Sequence, residues 1–128
     1  MPSVILTAIW GLDNVSTGIY NIIMVKLELR QPIEFEWDKG NQAKSFVKHR
    51  ITNPEAEEVF LNFNIILEDL GHSGKEQRFI ILGKCDNGKM IFSCFTVRAN
   101  KVRIISSRLA NKKERDLYEK AFKKNAQI

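Results

Sequence analysis

The chain has 128 residues, a net charge of +5 and two cysteines. This length suits one domain with a core that needs no disulfide, and Cys85 and Cys94 fit no metal-ligand spacing, so we expect two reduced thiols, no metal and no other cofactor. No apolar run reaches the roughly 18 residues of a membrane span, and we expect a cytoplasmic protein without a membrane partner.

The charge is distributed unevenly along the chain. Residues 1–70 contain 6 Lys+Arg and 10 Asp+Glu, a balance of −4, whereas residues 71–128 contain 14 and 5, a balance of +9. Such asymmetry predicts a polyanionic partner for the second half, nucleic acid first. A solvated basic face would explain the charge equally well.

The first 23 residues differ in composition from the rest, with no Lys or Arg and Asp13 as their one acidic residue. The polar stretch from Gly11 to Asn14 interrupts the apolar run early, which argues against a secretory signal. We expect residues 1–23 to be an extension outside the core, with Met24 as the physiological start and residues 24–128 as a single domain. The alternative is an apolar strand or helix that packs on this domain.

The next elements are a strand and two short helices. The spacing predicts a strand over Ile33–Trp37 and then a helix over residues 39–48, with Asp38 as its N-cap. Ala43, Phe46 and Val47 would form the apolar face of this helix. Asn53 and Pro54 predict the start of the second helix, as cap and first helical residue.

Four strands and a C-terminal helix follow. The apolar runs predict strands over residues 65–68, 76–84, 89–98 and 101–108, with turn signals at Asn87-Gly88 and Ala99-Asn100. Asn111 and Glu114 have the spacing of a capping box, which predicts the start of the last helix. The order is typical of an α+β fold: strand, two helices, an antiparallel sheet of three to four strands and a C-terminal helix, with the helices on one face of the sheet.

The last hairpin allows a prediction of register. A two-residue turn at Ala99-Asn100 pairs Thr96 with Arg103 and Cys94 with Ile105. The face with Val97, Val102, Phe95 and Ile104 is the more apolar and should meet the helices, which leaves Arg98, Lys101 and Arg103 on the polar face.

The position of Arg78 depends on the preceding turn. If Asn87-Gly88 is a two-residue turn, Arg78 lies on the apolar face with Val97, and one extra loop residue moves it to the Arg103 face. The sequence leaves both arrangements open.

Several ordered motifs resemble the BrnT family of bacterial toxins, which are similar to the RelE/ParE superfamily. The resemblance covers about residues 33–120 and rests on Phe35-Glu36-Trp37-Asp38, Lys48-His49, Glu55-Ala56 with Val59-Phe60, Glu76-Gln77-Arg78-Phe79 with Gly83, the run from Arg103 to Arg108, and Glu114-Arg115 with Tyr118.

This resemblance implies a metal-independent endoribonuclease toxin of a type II toxin–antitoxin system. In such a reaction the ribose 2′-oxygen attacks the adjacent phosphate of the RNA. The implied antitoxin partner is BrnA-like, carries a ribbon-helix-helix DNA-binding domain and neutralises the toxin. The toxin–antitoxin complex would contact operator DNA only through this antitoxin.

The resemblance also implies site residues. Arg103 and Arg78 would hold the phosphate, His49 would carry the proton and Arg108 would support the site. The alternative for Arg108 is a structural role, paired with Glu114 or a neighbouring carboxylate. Contacts to RNA are expected from Trp37, Lys48, Arg98 and Lys101. For Trp37 a place in the core, and for His49 a place at a helix end favoured by the helix dipole, are the alternatives.

One departure from the family pattern bears on activity. The family usually has His-Gly where this chain has His49-Arg50, and because arginine tolerates positive φ poorly we expect this loop to be re-formed. Two further hypotheses therefore stand beside the ribonuclease. One is a non-catalytic RelE/ParE-like protein that binds RNA or a protein target such as a topoisomerase, and the other is a basic RNA-binding module.

Overall fold

The computed structural model describes residues 5–8, 15–16, 21–71 and 74–126, in which one sheet lies between helices. In chain order the elements are β1 (Ile5–Ala8), β2 (Val15–Ser16), β3 (Asn21–Glu28), α1 (Lys44–His49), α2 (Asn53–Val59), β4 (Asn64–Asp69), β5 (Phe79–Lys84), β6 (Met90–Arg98), β7 (Lys101–Leu109) and α3 (Lys112–Ala126). The predicted α+β class is confirmed. None of the helices in these ranges has the length and apolar content needed to span a bilayer.

The sheet is antiparallel and contains seven strands within the described residues, in the order β1-β3-β4-β5-β6-β7, with β2 paired to β3. The prediction of three to four strands is too low because β3 joins β4, with Ile22 opposite Asp69 and Met24 opposite Leu67. Strand β3 therefore crosses the predicted boundary at Met24, whose side chain is buried. The start at Met24 stays a prediction, and residues 1–4, 9–14 and 17–20 of the predicted extension lie outside the described residues.

Helices cover both faces of the sheet, so the prediction that they share one face is wrong. On the α2 face, Ala56 and Val59 pack in a core with Ile81, Phe95 and Ile104. On the α3 face, the buried side chains are Tyr118 and Ala121 from the helix and Ile65, Leu67, Ile80, Leu82 and Phe92 from the strands. The physical reason is that the central strands are apolar at consecutive positions, and a strand that is apolar on both sides must be covered on both sides.

The segment before α1 lies along the outer edge of β7, without the predicted strand over Ile33–Trp37. Only Phe35 bridges to the sheet, in parallel with Val102. The Glu36 N–H donates to the Val102 carbonyl at 2.8 Å, and the Val102 N–H donates to the Glu34 carbonyl at 2.8 Å. The chain then turns away, because the Asp38 N–H donates to Asn41 Oδ1 at 2.8 Å and fixes a local turn.

The two short helices start at other residues than predicted. Helix α1 begins at Lys44, Ala43 occupies its N-cap position without a side-chain hydrogen bond, and no α1 residue is buried. Helix α2 is capped by Thr52 instead of Asn53, since Glu55 completes a capping box with Thr52. The predicted apolar face of α1 therefore faces solvent.

The β6–β7 hairpin confirms the predicted turn and the first part of the register. Ala99 and Asn100 have φ values of 49° and 66°, as a two-residue turn of the mirror-image type requires, and Thr96 lies opposite Arg103. A bulge follows, with Cys94 opposite Ser106 where Ile105 was predicted. This extra residue reverses the alternation, so Arg108 lies on the same face of the sheet as Arg103.

Candidate functional site

Four arginines of the predicted site have one face of the sheet in common, the α3 face. Arg98 and Arg103 lie there by the hairpin register and Arg108 through the bulge. The connection between Lys84 and Met90 is five residues long, and Phe79 pairs with Phe95, so Arg78 falls on the Arg103 side. The sequence left the face of Arg78 open, and the five-residue loop places it on the same face as Arg103. We call this set, Arg78, Arg98, Arg103 and Arg108, the arginine face.

Arg103 is held by two carboxylates from the segment beside β7. Its Nη1 donates to Asp38 Oδ2 at 2.7 Å and to Glu36 Oε1 at 3.0 Å, and its Nη2 donates to Asp38 Oδ1 at 3.0 Å. Only 13% of its side chain is exposed. The hydrogen bonds from Arg103, and next the Gly40 N–H, lower the pKa of Asp38 below its ordinary value. Arg103 is therefore a rigidly oriented cation.

Arg98 belongs to the same ion-pair network. Its Nε and Nη2 donate to the two carboxylate oxygens of Glu76, and its Nη1 lies 3.8 Å from Glu36 Oε1. The hydrogen bond from Arg98 lowers the pKa of Glu76, and the charges of Arg78 and Arg103 act in the same direction. The positive charges of three of the four arginines thus act on the carboxylate of Glu76.

Arg108 lies at the other end of β7. Its Nη1 and Nη2 donate to Glu114 Oε1 and Oε2 at 2.8 and 2.9 Å, and its guanidinium carbon lies 4.0 Å from the centre of the Phe92 ring. Glu114 is 3% exposed and also accepts the Asn111 N–H at 2.9 Å, so one carboxylate both caps α3 and orients the arginine. The predicted Arg108–Glu114 pair and the Asn111 cap are confirmed.

The thiol of Cys94 lies between the two ends. Burial raises the pKa of Cys94, and the charges of Arg108 and Arg78 oppose that rise.

Arg103 and Arg108 are roughly 15 Å apart along the strand and bind carboxylates at opposite ends of it. One phosphate cannot engage both arginines, so a strand of nucleic acid on this face would place different phosphates at its two ends.

The predicted proton carrier lies outside the arginine face. His49 and Lys48 are exposed in the last turn of α1, which runs beside β7 because Asn41 Nδ2 donates to the Ile104 carbonyl at 2.8 Å and Ser45 Oγ accepts the Ser107 N–H at 2.7 Å. From Asn41, just before α1, to Ser45 within it, the contacts move from Ile104 to Ser107, so α1 and β7 run in the same direction. His49 is therefore directed toward the Arg108 end of the strand.

The loop after His49 keeps a left-handed backbone, so the expectation that it is re-formed is wrong. Arg50 has φ 58° and ψ 30°, the conformation that glycine adopts most easily, and its guanidinium carbon lies 5.2 Å from the centre of the Phe46 ring. Arg50 adopts this unfavourable φ while its side chain contacts the Phe46 ring and the C-cap of α1 makes backbone hydrogen bonds.

Trp37 and Lys101 lie apart from the centre of the arginine face. The Trp37 indole N–H donates to Glu57 Oε2 at 2.7 Å and its ring packs against the core of the α2 face. Lys101 is exposed at the tip of the β6–β7 hairpin, opposite Arg98. The geometry gives Trp37 a structural contact and leaves a role for either residue in RNA binding a prediction.

The two carboxylates that hold Arg103 were not foreseen from the sequence. Glu36 and Asp38 are two residues apart, a spacing that puts both side chains on one side of an extended chain, and this signal could have paired them with Arg103. Asn41, which is buried and links Asp38 to Ile104, gave no comparable signal. Among the described residues, no three His, Cys, Asp or Glu side chains are grouped so that they could hold a metal ion.

A small basic α+β protein with an ordered row of arginines on its sheet has the surface of an anion-binding protein. The family model of the ribonuclease toxin BrnT, of type II toxin–antitoxin systems, matches residues 37–114, which is more than half of the chain. The chain therefore belongs to the BrnT family of ribonuclease toxins. A search of curated proteins finds no match.

Proposed function

We propose that this protein is an endoribonuclease toxin that cleaves RNA by attack of a ribose 2′-oxygen on the adjacent phosphate, without a metal ion. The observation that carries the proposal is the placement of four arginines on one face of the sheet, of which Arg98 and Arg103 are joined through Glu36, in a chain of a ribonuclease family. The reaction needs a base, an acid and cations for the developing charge, all of which side chains of this chain can supply.

In this proposal Arg103 binds the reacting phosphate. Glu36 and Asp38 fix its guanidinium in one orientation before RNA arrives, which favours catalysis because no side chain has to be ordered during the reaction. Three of the five Arg103 N–H donors point to these carboxylates, so a phosphate would use the Nε–H and the second Nη2 N–H, or displace Asp38. Arg78 and Arg98 add positive charge along the same face.

His49 is the proposed proton carrier, because imidazole exchanges protons near neutral pH. His49 is directed toward the Arg108 end of β7, so in this proposal it would approach the phosphate bound by Arg103 from that side. Lys48, one residue earlier on α1, and Lys101 at the hairpin tip would contact the RNA backbone on either side. Trp37 would contribute from the other face only by holding the segment that contains Asp38.

The proposed partner is a cognate antitoxin encoded with the toxin. Membership in a type II family implies such a protein partner. We propose that it carries a BrnA-like ribbon-helix-helix domain, through which the complex contacts operator DNA, and that it prevents the toxin from cleaving RNA in the cytoplasm.

Purified full-length protein incubated with RNA in EDTA tests this function. We expect fragments with 2′,3′-cyclic phosphate ends, and we expect Arg103→Ala to lower the cleavage rate at least about 100-fold because the positioned cation is lost. End-group analysis and gel-resolved rates are the measurements. Intact RNA at high enzyme concentration would contradict the proposal.

Two variants make this test specific. Arg103→Lys keeps the charge but not the planar pair of donors, and we expect it to recover only part of the rate. Arg115→Ala removes an exposed arginine of α3 whose Nη1 donates to the Ala110 carbonyl, and the rate should not change. Thermal melting of each variant establishes that the loss of rate is not loss of fold.

A second function, binding without cleavage, is favoured by the engagement of Arg103 with two carboxylates. If the donors stay with Asp38 and Glu36, the chain would act as a RelE/ParE-like binding protein on RNA or on a protein target such as a topoisomerase. Growth arrest with intact cellular RNA and altered DNA supercoiling would favour this function over the ribonuclease.

A further inference from the structure

Helix α1 presents an apolar side chain directly to solvent. Ser45 points toward β7 and accepts the Ser107 N–H, and since each helical residue advances by about 100°, Val47 points almost directly away from the sheet. Val47 is 70% exposed and Phe46 44% exposed, although short surface helices normally turn such residues inward.

Positive charge surrounds these apolar side chains. Lys44 and Lys48 lie one turn apart on one side of Val47, and Arg50 lies over the Phe46 ring on the other side. Residues 39–54 contain no Asp or Glu at all. The exposed side of α1 is thus both apolar and uniformly basic.

These side chains form one surface on the side of α1 that faces away from β7. We call this surface, formed by Lys44, Phe46, Val47, Lys48 and Arg50, the α1 patch. Helix α1 lies beside β7, which forms one edge of the sheet, whereas β1 forms the other edge.

We propose that the α1 patch is the docking surface for the cognate antitoxin, and that it binds an acidic amphipathic segment of that protein. This rests on the proposed function, in which such a protein is the partner. Apolar residues spaced at i and i+3 or i+4 would cover Val47 and the exposed part of Phe46, while flanking Asp and Glu side chains would meet Lys44, Lys48 and Arg50.

Other occupants fit the patch less well. RNA can contact Lys48, but it would find no stacking platform on this surface, because Val47 is aliphatic and Arg50 already covers the Phe46 ring. A second copy of this chain in a two-fold arrangement would bring the same cations together, since like surfaces meet in such a dimer. An acidic protein segment matches both the apolar and the charged part.

The test compares Val47→Glu with Leu61→Glu in the full-length protein. Leu61 is 73% exposed after α2, so the two variants make the same change at two exposed aliphatic residues, inside and outside the patch. The probe is the purified product of the reading frame adjoining the toxin gene, titrated by calorimetry. We expect Val47→Glu to weaken binding at least about tenfold and Leu61→Glu to change it less than about twofold.

RNA cleavage by the same proteins separates this inference from the proposed function. Val47→Glu should still cleave RNA, with at most a small loss of rate from the negative charge next to Lys48, while escaping inhibition by the antitoxin. Unchanged binding, equal weakening by Leu61→Glu, or loss of RNA cleavage with an unchanged melting temperature would each overturn the docking surface. Failure of the wild type to cleave RNA would instead contradict the proposed function, and the calorimetric comparison would still decide the docking.

A further variant tests the contribution of the positive charge of the patch. Lys44→Glu reverses one cation at the start of α1, and we expect it to weaken antitoxin binding and to flatten the dependence of binding on NaCl concentration. A salt dependence equal to that of the wild type would overturn the electrostatic part of the proposal.

Discussion

Arg103 and Arg108 show how single arginines on this sheet are kept in place. Each binds a carboxylate through both Nη atoms, Arg103 that of Asp38 and Arg108 that of Glu114. The two carboxylates differ in burial, because Glu114 is almost inaccessible whereas Asp38 is largely exposed, although Arg103 is itself less exposed than Arg108. Removing one member of a buried pair leaves a charge without its partner, so the Arg108 end should be structural and the Arg103 end exchangeable.

This difference predicts that Asp38 competes with phosphate for Arg103. Asp38→Asn removes a negative charge that accepts two hydrogen bonds from this arginine, so the affinity for a non-cleavable 2′-O-methyl RNA oligonucleotide should rise about 3- to 10-fold and its salt dependence should steepen by about one ion. Fluorescence anisotropy at several NaCl concentrations measures both quantities.

The matched control removes an equivalent charge elsewhere. Asp86→Asn alters an exposed carboxylate of the β5–β6 loop, whose Oδ1 accepts from Asn62. Its effect on RNA affinity should be much smaller. Weaker binding by Asp38→Asn would mean that the carboxylate serves to orient Arg103 for phosphate and does not compete with it.

Between elements, Glu55 connects the start of α2 to the β5–β6 loop. Its carboxylate accepts the Thr52 N–H within the capping box, and it also binds Lys89 Nζ at 2.9 Å and Asn87 Nδ2 at 2.7 Å. The Thr52 backbone hydrogen bond, and next the bond with Lys89, lower the pKa of Glu55 from 4.5 to about 2. One side chain thus holds a helix against a hairpin loop.

The lowered pKa of Glu55 predicts an acid-sensitive contribution to stability. Because the folded-state pKa is below the unfolded one, the contribution is complete above pH 4.5 and disappears as the pH falls toward about 2. Glu55→Gln should cost about 1–2 kcal/mol at pH 7, and the difference from the wild type should shrink across that window.

Urea unfolding at a series of pH values between 7 and about 2 measures this difference. Asp116→Asn, at an exposed ion pair with Lys112 in α3, serves as control and should leave stability nearly unchanged at every pH. A Glu55→Gln difference that does not depend on pH would show that the carboxylate charge contributes nothing.

The register of the β6–β7 hairpin could be predicted from the sequence only near its turn. The pairs next to the turn follow from Ala99-Asn100 and from alternation, both of which are local signals. The bulge at Ile105 depends on distant partners, since Ser93 and Ser107 are buried and share a 2.7 Å hydrogen bond, and the Ser107 N–H donates to Ser45. Because the side of Arg108 depends on this bulge, its face could not be read from the sequence.

Across the whole molecule, the uneven charge of the chain is partly neutralised by the fold. Glu36 and Asp38 from the acidic first half lie against Arg98 and Arg103 from the basic second half. The sequence predicted a basic surface on the C-terminal half, and the arginines do lie together. The only signal for their carboxylate partners was the spacing of Glu36 and Asp38, since segments 65 residues apart meet through the contacts of residues 34–45 with β7.

The sheet has a core on each side, and because both cores use the same strands they should unfold together. Ile80 on β5 is buried against α3, and Ile104 on β7 is buried against α2, two strands apart on opposite faces. Ile80→Val and Ile104→Val each remove one methylene and should each lower the free energy of unfolding by about 1 kcal/mol. The double variant should lose about 2 kcal/mol, since the sites lie roughly 10 Å apart without shared partners. Urea unfolding followed by tryptophan fluorescence and by circular dichroism should give one transition of unchanged slope in all four proteins, whereas a second transition or a reduced slope in one variant would show that the two cores unfold separately.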